Sequence, residues 1–297
     1  MVPEIVYHYC SVDTFYKIIT NHELWLTDVS KSNDYKELVL IFDELEKLLA
    51  PNVDQIVSQS FVPLSMYSEF FKEFRKFNLM YHVCCFSEDR DSLSQWAMYA
   101  KNATGIAIGF KTRSFISLHN YNENIDFNPI SYSIDSAIID IKRKINSFVD
   151  IYTNDPESNN YSWYKKFISY FIDELLKIIC LYKNKSFSQE HEYRIAVNST
   201  PCSSDTNGKE ISFSHSLIKS PVYLSDNYSI GAMSFFPSNG KLTSYRPLHI
   251  NNLSTEISEI IIGPKCNVTE HDIKLFLLAN NIDLNDKKIM LSNSTYQ

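Results

Sequence analysis

"KSFSQEHEYRIAV", residues 185–197, sets charged side chains at every second position: Glu190, Glu192 and Arg194. Between and after them stand His191, Tyr193, Ile195 and Val197. Successive strand residues point to opposite faces, so this alternation predicts a strand over 190–197. One face then carries Glu, Glu and Arg, and the other is aromatic and aliphatic. Two strand residues span roughly 7 Å, which sets the separation expected for the two carboxylates. The row reads either as a solvated ladder or as the wall of a reaction site. A surface ion pair stabilises by only about 0–1 kcal/mol, so a solvated face gives little reason for so regular an array.

Working outward, short apolar or alternating runs bounded by turn residues recur in "EIVYHYCS", "MYHVCCFSE" and "TGIAIGF". With the opening stretch they predict one central sheet built from 3–10, 83–87, 104–110 and 190–197. Helical stretches lie between the strands. "SVDTFYKIITNH" follows the first strand with Ser11 as its cap, and "ELWLTD" returns to strand. Residues Leu38, Ile41, Phe42, Leu45, Leu48 and Leu49 have helical spacing, with Asp34 and Glu37 placed as the N-cap and N3 of a capping box. Residues 61–80 read as an aromatic helix and "DSLSQWAMYAKN" as a short one. Helices are expected at 133–151 and 161–183, divided by "YTNDPESNN". The polar stretch 198–210 reads as loop. The last third alternates strands ("EISFS", "SPVYLSD", "SEIIIGP") with a helix at about 269–280 and a closing "KIMLSNSTYQ". This order predicts an α+β fold: a central mixed sheet with flanking helices and a helical insertion around 133–183, all in a single domain, 1–297.

Of the 297 residues, 44% are hydrophobic and 14% aromatic, enough for a sizeable core. The net charge is -7, so nothing points to nucleic-acid binding through bulk positive charge. None of the six cysteines forms a C-x-x-C pair. No basic segment leads an apolar one at the N-terminus, and no run of 18 apolar residues occurs. A cytoplasmic protein with reduced thiols and no membrane association is expected.

No Gly-rich phosphate loop, H-E-x-x-H or G-x-S-x-G occurs, and the eight histidines lack metal-ligand spacing, so no metal is expected. Glu190 and Glu192 are the candidate catalytic pair. One carboxylate can accept from a sugar hydroxyl and stabilise an oxocarbenium-like centre while the other orients or deprotonates an acceptor. His8, between Tyr7 and Tyr9, is either structural or a donor to a ribose hydroxyl. Helix capping accounts for Asp34 and Glu37, whereas Asn33 has no such account. Trp96 and Tyr99 share a helical face, expected to be buried beside the His8 strand, though such a pair could also stack a base or a nicotinamide. Arg246 in "SYRPL" is a candidate phosphate ligand or an ordinary ion pair.

Several stretches together resemble a bacterial family known as domain of unknown function 2971. "YHYCSVDTFYKIITNHELWLTDVSKSNDYKE" resembles its opening, and "CCFSEDRDSLSQWAMYAKNATGIAIGF" is similar to its centre. "QEHEYRI" resembles its Glu-x-Glu-aromatic-Arg strand, and "ISEIIIGPKCN" with "IMLSNSTYQ" its end. Two positions depart from the pattern: Tyr35 stands where a proline is usual, and Gln297 where an arginine is usual. A looser resemblance, to ADP-ribosyltransferases, rests on order: His8 on an early strand, a hydroxyl region from Ser87 to Gly105, and Glu190-x-Glu192 on a late strand. It implies an NAD-using transferase in which His8 holds the nicotinamide ribose, Glu192 the 2′-hydroxyl, and Glu190 the acceptor. Tyr9, Asn33, Ser87, Trp96, Tyr99, Arg194 and Arg246 are the accompanying binding candidates. The implied partners are NAD or another nucleotide, a protein or nucleic-acid acceptor, and a partner protein from a defence operon. The implied setting is toxicity or anti-phage defence. Two alternatives stand beside this: a non-enzymatic sensor of a nucleotide or a phage protein, and a metal-dependent nuclease using Asp34, Glu37, Glu190 and Glu192.

Overall fold

The computed structural model describes residues 2–31, 81–122, 125–140, 143, 144, 147, 176–199, 221–238 and 240–295. The helices expected near 34–49 and 61–80, most of the insertion at 133–183, the loop expected at 198–210 from residue 200 onward and "EISFS" lie outside the described residues, as does Asn33; Asn198 ends a strand. Residues 134–140 and 176–180, at the two ends of the expected insertion, are helical.

In chain order the described elements are β1 (Ile5–Cys10), α1 (Val12–Asn21), β2 (Glu23–Asp28), β3 (Tyr81–Ser87), α2 (Leu93–Met98) and β4 (Ile106–Lys111). Then come α3 (Thr112–Ile116), α4 (Leu118–Tyr121), β5 (Ile125–Pro129), β6 (Glu192–Asn198), β7 (Val222–Tyr223) and β8 (Tyr228–Ile230). The series ends with β9 (Ser234–Ser238), β10 (Lys241–Ile250), α5 (Leu253–Glu256), β11 (Ile257–Ile262), α6 (Glu270–Ala279) and β12 (Lys288–Leu291). Ser11 starts α1 by accepting from the Thr14 amide, and Phe15, Ile18 and Ile19 bury one face of that helix. A capping box between Thr269 and Asp272 starts α6. β4 is buried on both faces, which is why its sequence reads as a continuous apolar run.

The strands form one mixed sheet, ordered β12-β11-β4-β1-β3-β2-β10-β8-β7, with β6 joined to β3 and β5, and β9 to β10. Strands 5–10, 81–87, 106–111 and 192–198 all belong to it, as the sequence predicts. The fold is α+β. β11 and β12 run parallel, while the other pairings are antiparallel. One face carries the main core, including Val6, Cys84, Phe86, Ile108 and Ile195. The other carries a smaller cluster of Tyr7, Tyr9, Trp96, Ala100, Ala103, Ala107 and Ile261.

β3 is where the sheet forks. Along one edge it pairs with β6 over its whole length, from Tyr81↔Asn198 to Ser87↔Glu192. Along the other edge two strands share it. β2 holds one end through Thr27↔Val83 and Asp28↔His82, and β1 meets the other at Tyr7↔Ser87. Among the described residues no strand pairs with Cys84, Cys85 or Phe86 on that edge. A backbone carbonyl left there needs a partner. The Cys85 carbonyl finds one in His8 Nδ1, 3.0 Å away.

Candidate functional site

A cavity of about 320 Å³ opens at this fork. Its wall takes Tyr7, His8 and Tyr9 from β1, Thr27 and Lys31 from the end of β2 and the turn after it, and Cys85 and Ser87 from β3. α2 adds Gln95 and its C-cap residue adds Tyr99; Lys183, Glu190, Glu192 and Arg194 close the wall. The register explains the facing. Directly paired residues share a face, so Ser87↔Glu192, Cys85↔Arg194 and Tyr7↔Ser87 put these side chains on the cavity side. Tyr193 and Ile195, between them, pack into the main core.

The strand predicted from 190 begins at Glu192. Lys185–Glu190 is a 3-10 turn, and His191 turns the chain with a left-handed φ of 42°. The Asn184 side chain starts that turn by accepting from the Ser186 amide. The Ser87 hydroxyl donates to the Glu190 carbonyl at 2.7 Å and Gln95 donates to it at 3.3 Å. Glu190 therefore reaches the cavity from a turn, and the even spacing of Glu190 with Glu192 and Arg194 is not one strand face.

Lys183 was not anticipated, and it joins the two carboxylates. It is buried, its ammonium contacts Glu190 Oε2, and it lies 3.1 Å from Glu192 Oε2. Arg194 Nε donates to Glu192 Oε1 at 2.6 Å, and Arg194 Nη1 to the Cys180 carbonyl at 2.8 Å. The Tyr99 hydroxyl donates to Glu190 Oε1 at 2.8 Å. The Glu192 amide donates to the Tyr132 hydroxyl at 2.8 Å. Lys183 enters from the segment before the turn, anchored by its amide on the Ser131 carbonyl at 3.0 Å. No sequence pattern marks it; the need for a second cation beside a single arginine follows only once the burial of both carboxylates is known, because burying an unpaired charge is costly.

The two glutamates differ in their electrostatics. For Glu192, burial works to raise the carboxyl, but Arg194 and Lys183 outweigh it and bring it down to about 2. For Glu190, burial dominates over Lys183 and Tyr99 and holds the carboxyl above the usual range, with Glu192 adding to the rise. Burial lowers Lys183, but the neighbouring glutamates more than offset it and keep the ammonium charged. Cys85 is exposed by area, yet the space it faces is the cavity, and desolvation there together with Glu192 raises its thiol.

His8 is half-buried, and burial lowers its basicity, so the ring is neutral at neutral pH. A carbonyl only accepts, so Nδ1 carries the proton that goes to Cys85 and Nε2 is left as an acceptor. The expectation that His8 donates to a hydroxyl is thus corrected: toward a ligand its free nitrogen accepts.

The remaining candidates divide. Tyr9 lines the cavity, with its hydroxyl donating to the Asp89 carbonyl and accepting from the Ser92 amide. Ser87 is buried and holds the Glu190 turn. Trp96 is fully buried, edge-on to Tyr9 at 4.8 Å, and its indole N–H donates to Asp91 Oδ1. It has no exposed ring face for a base, so it is a core residue. Tyr99, expected to be buried, is 38% exposed at the cavity rim. Arg246 is buried away from the cavity with Nε on the Gly231 carbonyl at 3.0 Å, so the phosphate-ligand expectation fails for it. The cation between Glu190 and Glu192 is an ammonium of the chain itself, which a divalent ion bridging them would have to displace. Asp34 and Glu37 lie outside the described residues.

Residues 95–195 match the model of a family described as "Protein of unknown function (DUF2971)". The matched segment runs from Gln95 to Ile195. It contains Tyr99, Lys183, Glu190, Glu192 and Arg194, and stops short of His8 and Ser87. No curated protein and no solved structure matches the chain. No helix among the described residues is long and apolar enough to cross a membrane.

Proposed function

We propose that the fork between β1, β3 and β6 is a glycosyl-transfer site that uses NAD as donor, in the manner of an ADP-ribosyltransferase-like effector. The observation that carries this reading is that His8, Tyr99, Glu190 and Glu192 line one cavity. A ribose offers vicinal hydroxyls that donate hydrogen bonds. The wall offers acceptors to match: two carboxylates and the free nitrogen of a neutral imidazole. In this reading Glu192 accepts the 2′-hydroxyl, and its fixed negative charge stabilises the ribosyl cation as the C1′–N bond breaks. The bonding pair leaves with nicotinamide. The acceptor forms the new bond to C1′ and gives its proton to Glu190. Toxicity or defence is the setting that suits such an activity.

A non-enzymatic nucleotide sensor is the second reading. The observation that favours it is that Lys183 and Arg194 match the two carboxylates charge for charge, so the floor is satisfied without a ligand. Titrating NAD into protein carrying 13C-labelled glutamate carboxyls separates the two. Movement of the Glu190 and Glu192 signals with free nicotinamide accumulating supports the transferase. Movement without nicotinamide supports the sensor. Still signals at saturating NAD overturn both.

A further inference from the structure

Glu190 and Glu192 both contact Lys183, and each has a further partner of its own. Arg194 contacts Glu192 through Nε at 2.6 Å and Nη2 at 3.4 Å. Tyr99 contacts Glu190 with a neutral hydroxyl. Glu192 thus has two cations and Glu190 has one cation and one neutral donor. From these contacts we infer that Lys183 is a positioning residue that gives the two glutamates different roles: with Arg194 it keeps Glu192 a constant anion, and it leaves Glu190 as the group that takes up and releases the proton. The inference rests on the reading of the cavity as a reaction site, and it assigns the base of that reaction.

The groups facing Glu190 come from each packed segment. Lys183 comes from the strand-like segment after the 176–180 helix, Tyr99 from the C-cap of α2, Glu192 from β6, and Tyr132 from the stretch after β5. Lys183 is the one cation in contact with Glu190 among the described residues, and burial and the Glu192 charge act against it. Two titratable groups whose surroundings push them apart are the usual basis of an acid–base assignment. Lys183 works against the rise that burial imposes on Glu190, and its reach to Glu192 Oε2 fixes the separation of the two carboxylates.

The experiment follows the glutamate carboxyls by 13C NMR against pH, with Glu190→Gln to assign the signal. In the wild type the Glu190 carboxyl is expected to titrate above ordinary glutamates, while Glu192 stays ionised down to about 2. Lys183→Met should move the Glu190 titration to higher pH and leave Glu192 ionised through Arg194; Lys183→Arg should restore it. The acid limb of transfer to an acceptor should move to higher pH with Glu190, since a base works only once deprotonated. Two outcomes overturn the inference: both carboxyls titrating together in the wild type, or Lys183→Met leaving Glu190 unmoved. Should Lys183→Met fail to fold, the wild-type titration decides alone. A wild type that leaves NAD intact brings down the transferase reading, whereas the titration still judges Lys183.

Discussion

His8 Nδ1 lies 3.0 Å from the Cys85 carbonyl, at the point where β1 and β2 part along the edge of β3. A side chain there takes the place of a strand. His8→Phe keeps an aromatic ring but removes the donor. It should destabilise by about 1–3 kcal/mol, the cost of leaving a sheltered acceptor unpaired. Because burial lowers His8, its contribution is present above the ordinary histidine range and is lost as pH falls below it. The variant should therefore lose stability less steeply than the wild type as pH falls below about 6.5. Urea melts at several pH values measure both effects.

Glu192→Gln is expected to weaken the fold as well as the chemistry. Glu192 is buried against two cations. Removing one partner of a buried ion cluster costs about 3–5 kcal/mol. The sign of its pH dependence follows from the lowered carboxyl. The stabilisation is full above the ordinary value of 4.5 and fades as pH falls toward about 2. The gap between wild type and variant should narrow over that window in chemical denaturation.

Trp96→Ala should cost about 3–5 kcal/mol as a core truncation. Tyr99→Phe, at the rim, should cost only about 1 kcal/mol while altering the titration of Glu190. Thermal melts of the two variants provide the comparison, and an unchanged melting temperature for Trp96→Ala would contradict its placement.

Asp91 joins α2 to the C-terminal segment. It accepts from the Trp96 indole at 2.6 Å, from the Ser292 hydroxyl at 2.6 Å and from the Asn293 amide at 2.7 Å. Asp91→Ala leaves the buried indole donor unpaired and should destabilise by about 1–3 kcal/mol. Hydrogen exchange should find the Asn293 amide deprotected in the variant and protected in the wild type.

The sheet was legible because its strands carry period-two or fully apolar runs, which mark residues buried on one or both faces. The same signal misplaced Glu190. Polar spacing in "SQEHEYR" cannot distinguish a strand from a turn followed by a strand, and His191 supplies the left-handed turn that separates them. Lys183 was not legible from pattern, since it comes from a segment that reads as the end of a helix. Its place depends on tertiary pairing, with its amide on the Ser131 carbonyl. The burial of Trp96 beside the His8 strand was legible from its helical spacing, whereas Arg246 was read as a possible ligand contact because residue type does not reveal burial. The tautomer of His8 depends on an unpaired carbonyl across the fork, which no local sequence rule encodes.

The central claim is that Glu192 acts on a ribose in this cavity, and its most direct test is the release of nicotinamide from NAD. Wild type, Glu192→Gln and Glu190→Gln are compared at a temperature well below the melting point of each, so that lost folding does not pass for lost chemistry. The account predicts steady release by the wild type and a fall on the order of 10²-fold or more in Glu192→Gln, where the carboxylate charge is gone. Glu190→Gln should slow transfer to an acceptor more than it slows hydrolysis. Equal release by wild type and Glu192→Gln, or none by the wild type at saturating NAD, would contradict it.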